Sequence, residues 1–81
     1  MHTRVLFFGK LKEIAGAAEQ SVELRSGATI ADLFERFARD TPELAPYRSS
    51  VVASRNQEFA PWTTELEPGD EIAFLPPVSG G

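Results

Sequence analysis

The sequence predicts an α+β domain, a mixed sheet with one main helix packed on one face. Three observations carry this. Only one segment has a sustained helical apolar period. Short β-branched and aromatic runs flank it on both sides. The first and last of these runs, Val5–Phe8 and Ile72–Leu75, are apolar at both parities, as central strands of a covered sheet are.

Arg4–Phe8 reads as the first strand and Gly9 ends it. Val5 and Phe7 share one face, Leu6 and Phe8 the other. Lys10–Ala15 is a short helical turn, with Leu11 and Ile14 three apart and Gly16 closing it. Glu19–Leu24 alternates polar and apolar, a half-buried second strand. The short link between the two favours an antiparallel pair. Ser26–Ala28 is a turn. Thr29 then stands three residues before Asp32, close to a capping box. Ile30, Leu33, Phe34, Phe37 and Ala38 form the apolar stripe of the main helix, which Pro42 ends. At this spacing the stripe is a core face rather than a cofactor site.

Glu43–Ser50 reads as loop and Val51–Arg55 as the third strand. Asn56-Gln57 is a turn and Glu58-Phe59 a short return strand. Residues 61–66 are irregular, and Glu67–Asp70 is a Pro-Gly turn. In the last strand, Glu71–Leu75, Ile72 and Phe74 share one face, Ala73 and Leu75 the other. The first and last strands are expected to lie side by side in the middle of the sheet, paired parallel. Residues 1–75 form the domain and 76–81 a C-terminal tail.

Composition bounds the function. With 81 residues there is room for one domain and one core. A chain this short buries roughly 60% of its unfolded surface, too little for a deep enclosed active site as well. The net charge is −4 and no basic run occurs, so nucleic acid is not an expected partner. There is no cysteine, so no thiolate nucleophile or thiolate metal site. With no signal-like start and no long apolar run, the expected location is cytoplasmic and away from membranes.

Side-chain catalysis finds little support. His2 is the sole histidine and lies in a terminus expected to fray. Asp70 and Glu71 sit in a turn, where Asp serves backbone geometry. Lys10 and Lys12 are either solvated or turned toward an acidic partner. No metal site and no bound cofactor are expected. The tail, Pro76-Pro77-Val78-Ser79-Gly80-Gly81, is different. Two glycines give the slimmest possible cross-section, and the prolines behind them favour an extended base. Six extended residues reach roughly 20 Å, enough to carry the Gly81 carboxyl into a narrow pocket on another protein. A carboxylate is a poor electrophile. A partner must activate it, most simply as an acyl adenylate made with ATP, after which a sulfur donor can convert it to a thiocarboxylate.

Val5–Phe8, the helix from Thr29, Asn56-Gln57 and above all the run Gly69–Gly81 resemble the small subunits of molybdopterin synthase, sulfur carriers of molybdenum-cofactor biosynthesis. The resemblance implies a ubiquitin-like β-grasp fold. It implies that Gly81 is adenylated by a ubiquitin-activating-like adenylyltransferase, which consumes ATP, and is then thiocarboxylated by a sulfur donor enzyme. Pro76, Pro77, Val78, Ser79 and Gly80 would insert into the large synthase subunit, where sulfur passes to cyclic pyranopterin monophosphate. It also implies an apolar docking face at Phe8, Phe59 and Leu75, two of which parity already places together. Two positions depart from the family's pattern. Leu75 stands where a second Phe is common. Arg55 stands where an apolar residue is usual, which leaves that strand's register open. A carrier for thiamine or tRNA thiolation, a ubiquitin-like modifier linked through Gly81 to lysines, and a plain interaction domain with an inert tail are the alternatives.

Overall fold

The computed structural model describes residues 1–76. Its five strands are β1 (His2–Phe7), β2 (Glu19–Glu23), β3 (Val52–Arg55), β4 (Glu58–Phe59) and β5 (Glu71–Leu75). They form one mixed sheet in the order β2-β1-β5-β3-β4. β1 and β5 pair parallel near its middle, with Val5 opposite Ile72 and Phe7 opposite Phe74. The other neighbours are antiparallel. The expected α+β arrangement and its central parallel pair are therefore both present.

Helix α2 (Ile30–Asp40) covers one face of the sheet. The Thr29 hydroxyl accepts from the Asp32 amide, and the Asp32 carboxylate accepts from the Thr29 amide. This reciprocal cap satisfies two amides that a helix start would otherwise leave unpaired. Ile30, Leu33, Phe34 and Phe37 are buried against Val5, Phe7, Ile72 and Phe74 of the sheet. Phe74 is the aromatic hub: it meets Phe34 edge-on at 5.2 Å, stacks on Trp62 at 5.7 Å and lies 5.8 Å from Phe7. Buried aromatic contacts of this kind add roughly 1 kcal/mol each beyond area burial.

Three local expectations need correction. Pro42–Tyr47 is a 3-10 helix, where loop was expected over residues 43–50. Pro42 suits a helix start, because it has no amide to satisfy, and Leu44 is fully buried beneath α2. His2 is not frayed: it belongs to β1, pairs with Glu23 across the antiparallel ladder and lies 3.0 Å from the Glu23 carboxylate. The N-terminal amine also contacts Glu23 and donates to the Leu24 carbonyl, which pins the chain's start to β2. The third strand begins at Val52, one residue later than expected.

Between β1 and β2 lies the short helix α1 (Gly9–Ala15), anchored by buried Leu11 and closed by Gly16 at φ +84°. No helix among the described residues is long and apolar enough to cross a membrane.

Candidate docking face and tail base

The face of the sheet away from α2 carries the candidate site. Strand parity and register define it row by row. Leu6, Ala73, Ser54 and Phe59 form one row across β1, β5, β3 and β4. In the next row Leu75 lies opposite Val52, and Phe8 continues β1 beside them, its amide donating to the Phe74 carbonyl. Phe8 is 46% exposed, Val52 41% and Phe59 77%, and among the described residues these are the only large apolar side chains so open to water. All three share one face, and Leu75 is half-buried among them. Scattered exposed apolar residues need no explanation; a contiguous set on one sheet face marks a contact surface.

The other end of the same face is charged. Arg4 donates two hydrogen bonds to Glu19, each 3.0 Å, and lies 3.1 Å from Glu71. The hydrogen bond from Arg4, opposed by some desolvation, holds the Glu19 carboxyl below its ordinary range. The face is thus divided: ion pairs where β5 begins, apolar side chains where β5 ends.

The end of β5 is also where the tail starts. Pro76 follows Leu75 directly and abuts Gly9. Gly9 sits at φ +55°, so the chain leaving β1 turns sharply into α1 while its parallel neighbour continues to Pro76. Pro77, Val78, Ser79, Gly80 and Gly81 lie outside the described residues.

Of the expected docking residues, the structure brings Phe8 and Leu75 together and places Phe59 on the same face one row away. Sequence reasoning missed Val52, whose outward direction depends on its register with β5. It also left Arg55 unexplained. The Arg55 side chain lies on the α2 side of the sheet's rim, opposite Ile72. It reaches Asp70 at 2.8 Å and Glu67 at 2.9 Å.

A small β-grasp domain with an open apolar sheet face at the root of a Gly-Gly end belongs to the ubiquitin-like class. The chain belongs to the ThiS family, whose model matches residues 5–81. It is 41% identical to the molybdopterin synthase sulfur carrier subunit of Chlamydomonas reinhardtii, with both chains covered completely. Its fold is similar to that of SAMP1 from Haloferax volcanii, at a TM-score of 0.87 and 28% identity over the whole of both chains. It is also like a chain of the complex of subunits 1 and 2 of molybdopterin-converting factor from Helicobacter pylori, at a TM-score of 0.70 and 24% identity, again over both whole chains. That last likeness is one of fold.

Proposed function

We propose that this protein is the sulfur carrier subunit of a molybdopterin synthase. The observation that carries the reading is the meeting of the exposed apolar face with the root of the tail at the end of β5. A partner that covers Phe8, Phe59 and Leu75 is thereby placed to receive the residues that follow. The family membership and the Chlamydomonas relative support the same reading.

The chemistry resides in the terminal carboxyl of Gly81. An adenylyltransferase partner joins it to the α-phosphate of ATP and releases pyrophosphate. Hydrosulfide from a sulfur donor then attacks the acyl carbon, the bond to AMP breaks, and a thiocarboxylate is left with release of a proton. That sulfur is soft, ionised near neutral pH and strongly nucleophilic, which suits it to attack the precursor, cyclic pyranopterin monophosphate. Pro76, Pro77, Val78, Ser79 and Gly80 carry it into the large subunit's pocket. The domain supplies docking and reach, and its partners supply the catalytic side chains. The setting is the cytoplasm, where the precursor and the activating enzyme would be met.

The direct test mixes the thiocarboxylated protein with the large subunit and cyclic pyranopterin monophosphate. Formation of molybdopterin supports the reading. Absence of product, with a large subunit active on another carrier, contradicts it and turns attention to lysine conjugation, the reading that likeness to SAMP1, a small archaeal modifier protein, would favour.

A further inference from the structure

We infer that Asn56, Arg55 and Asp70 are positioning residues for the docking face, a polar clamp that holds the β3–β4 hairpin and its Phe59 in place against β5. The inference rests on the docking role proposed above for Phe59.

β4 is two residues long and lies at the sheet's edge, with β3 as its one sheet neighbour among the described residues. β3 is held by its ladder with β5, but a two-residue strand paired on one side adds little hold of its own, so β4 and its Phe59 depend on the turn that leads into them. Phe59, at 77% exposed, anchors nothing in the core. Yet an array of hydrogen bonds converges on the turn before it. Asn56 and Gln57 both have positive φ, +51° and +74°, the pattern of a tight two-residue hairpin turn. The Asn56 side chain donates to Asp70 Oδ1 at 3.1 Å and accepts from the Glu71 amide at 3.0 Å. Its own amide donates to the Glu71 carbonyl at 2.8 Å. Asp70 Oδ2 accepts from Arg55 Nε and from the Glu67 amide, both at 2.8 Å.

Asp70 is only 5% exposed. Burying a carboxylate is costly and is tolerated when its oxygens are fully engaged, as they are here. The clamp fastens the Phe59 hairpin to the start of β5, the same strand that ends in Leu75 and leads to the tail. It therefore fixes Phe59 relative to Leu75. Arg55 is the clamp's cation, reaching Asp70 at 2.8 Å and Glu67 at 2.9 Å.

Asn56→Gly is the cleanest test. Glycine keeps the positive φ and the backbone bond to Glu71 but removes both side-chain bonds. The measurements are thermal midpoint, amide exchange, and affinity for the large subunit in wild-type, Phe59→Ala and Phe8→Ala backgrounds. The Ala60 amide, bonded to the Ala53 carbonyl at 3.1 Å, reports on the hairpin. We expect its exchange to rise about tenfold while the core amide of Phe74 does not change, and affinity to fall about tenfold. The affinity loss should vanish in the Phe59→Ala background and persist in the Phe8→Ala background. Unchanged affinity with Asn56→Gly, or an equal loss in both backgrounds, overturns the positioning role alone. If Phe59→Ala itself binds normally, the docking role of Phe59 fails, and the inference with it.

Discussion

Gly9 and Pro76 are in such close contact that a Cβ built on Gly9 would stand 3.0 Å from Pro76 Cγ. The glycine also holds φ +55°, which an L side chain adopts at a cost of roughly 1–2 kcal/mol. Gly9→Ala should therefore lower stability by about 1–2 kcal/mol and displace Pro76. Thermal unfolding checks the first effect, and sulfur transfer at saturating large subunit checks the second, with a slower rate expected. Gly9→Asn separates the causes. Asn tolerates positive φ but still carries a Cβ, so it should regain stability and not rate.

Phe8→Asp and Leu75→Asp should each weaken binding to the large subunit at least tenfold. If this face docks as proposed, the substitution would bury an unpaired charge against the partner. Both positions already face water or lie half-exposed, so the fold should hold. Calorimetric titration of the variants against the large subunit is the check. Unchanged affinity would remove the residue from the interface.

The polar clamp gives a pH signature. Burial pushes the Asp70 carboxyl up, but bonds from the Glu67 amide, Arg55 and Asn56 outweigh it, and the group sits below its ordinary range. Its stabilising contribution is then complete above the unfolded value, about 3.9, and fades as pH falls through the lower folded value. Glu19, bonded to Arg4, and Asp32, bonded to Thr29, shift in the same direction, so the total slope is not Asp70's alone. Comparison with Asp70→Asn isolates it. The variant should be less stable at pH 7, and the gap should narrow below about pH 4. A gap independent of pH would contradict the charge-assisted role.

Thr3 offers a stability test in the opposite direction. Its side chain is buried in β1, and among the described residues its Oγ1 has no hydrogen-bond partner. A buried hydroxyl left unpaired costs roughly 1–3 kcal/mol. Thr3→Val, nearly isosteric, should raise stability by about 1 kcal/mol. Denaturant unfolding will read it, and a loss would point to an unseen partner for the hydroxyl.

The sequence made some of this legible and hid the rest, for physical reasons. The α2 stripe and its Thr29–Asp32 cap are local patterns, so they could be read directly. The double parity of Val5–Phe8 and Ile72–Leu75 announced central strands and put Phe8 and Leu75 on one outer face. Phe59 came only through resemblance, because a two-residue strand has no period to read. Val52 was hidden because adjacent valines give no parity of their own; only pairing with Leu75 shows which one turns outward. The role of Arg55 was hidden because its partner, Asp70, lies 15 residues away. The 3-10 helix was hidden because Pro42 reads as the end of α2, and only the burial of Leu44 shows that the chain goes on as a packed helical segment.

In the proposed function, Gly81 carries sulfur on its terminal carboxyl. The most direct test is the intact mass of the protein after incubation with ATP, a sulfur donor and the host's adenylyltransferase. A gain equal to one oxygen exchanged for sulfur, absent from a folded variant lacking Gly81, is the predicted result. An unchanged mass, with an adenylyltransferase active on another carrier, would contradict it.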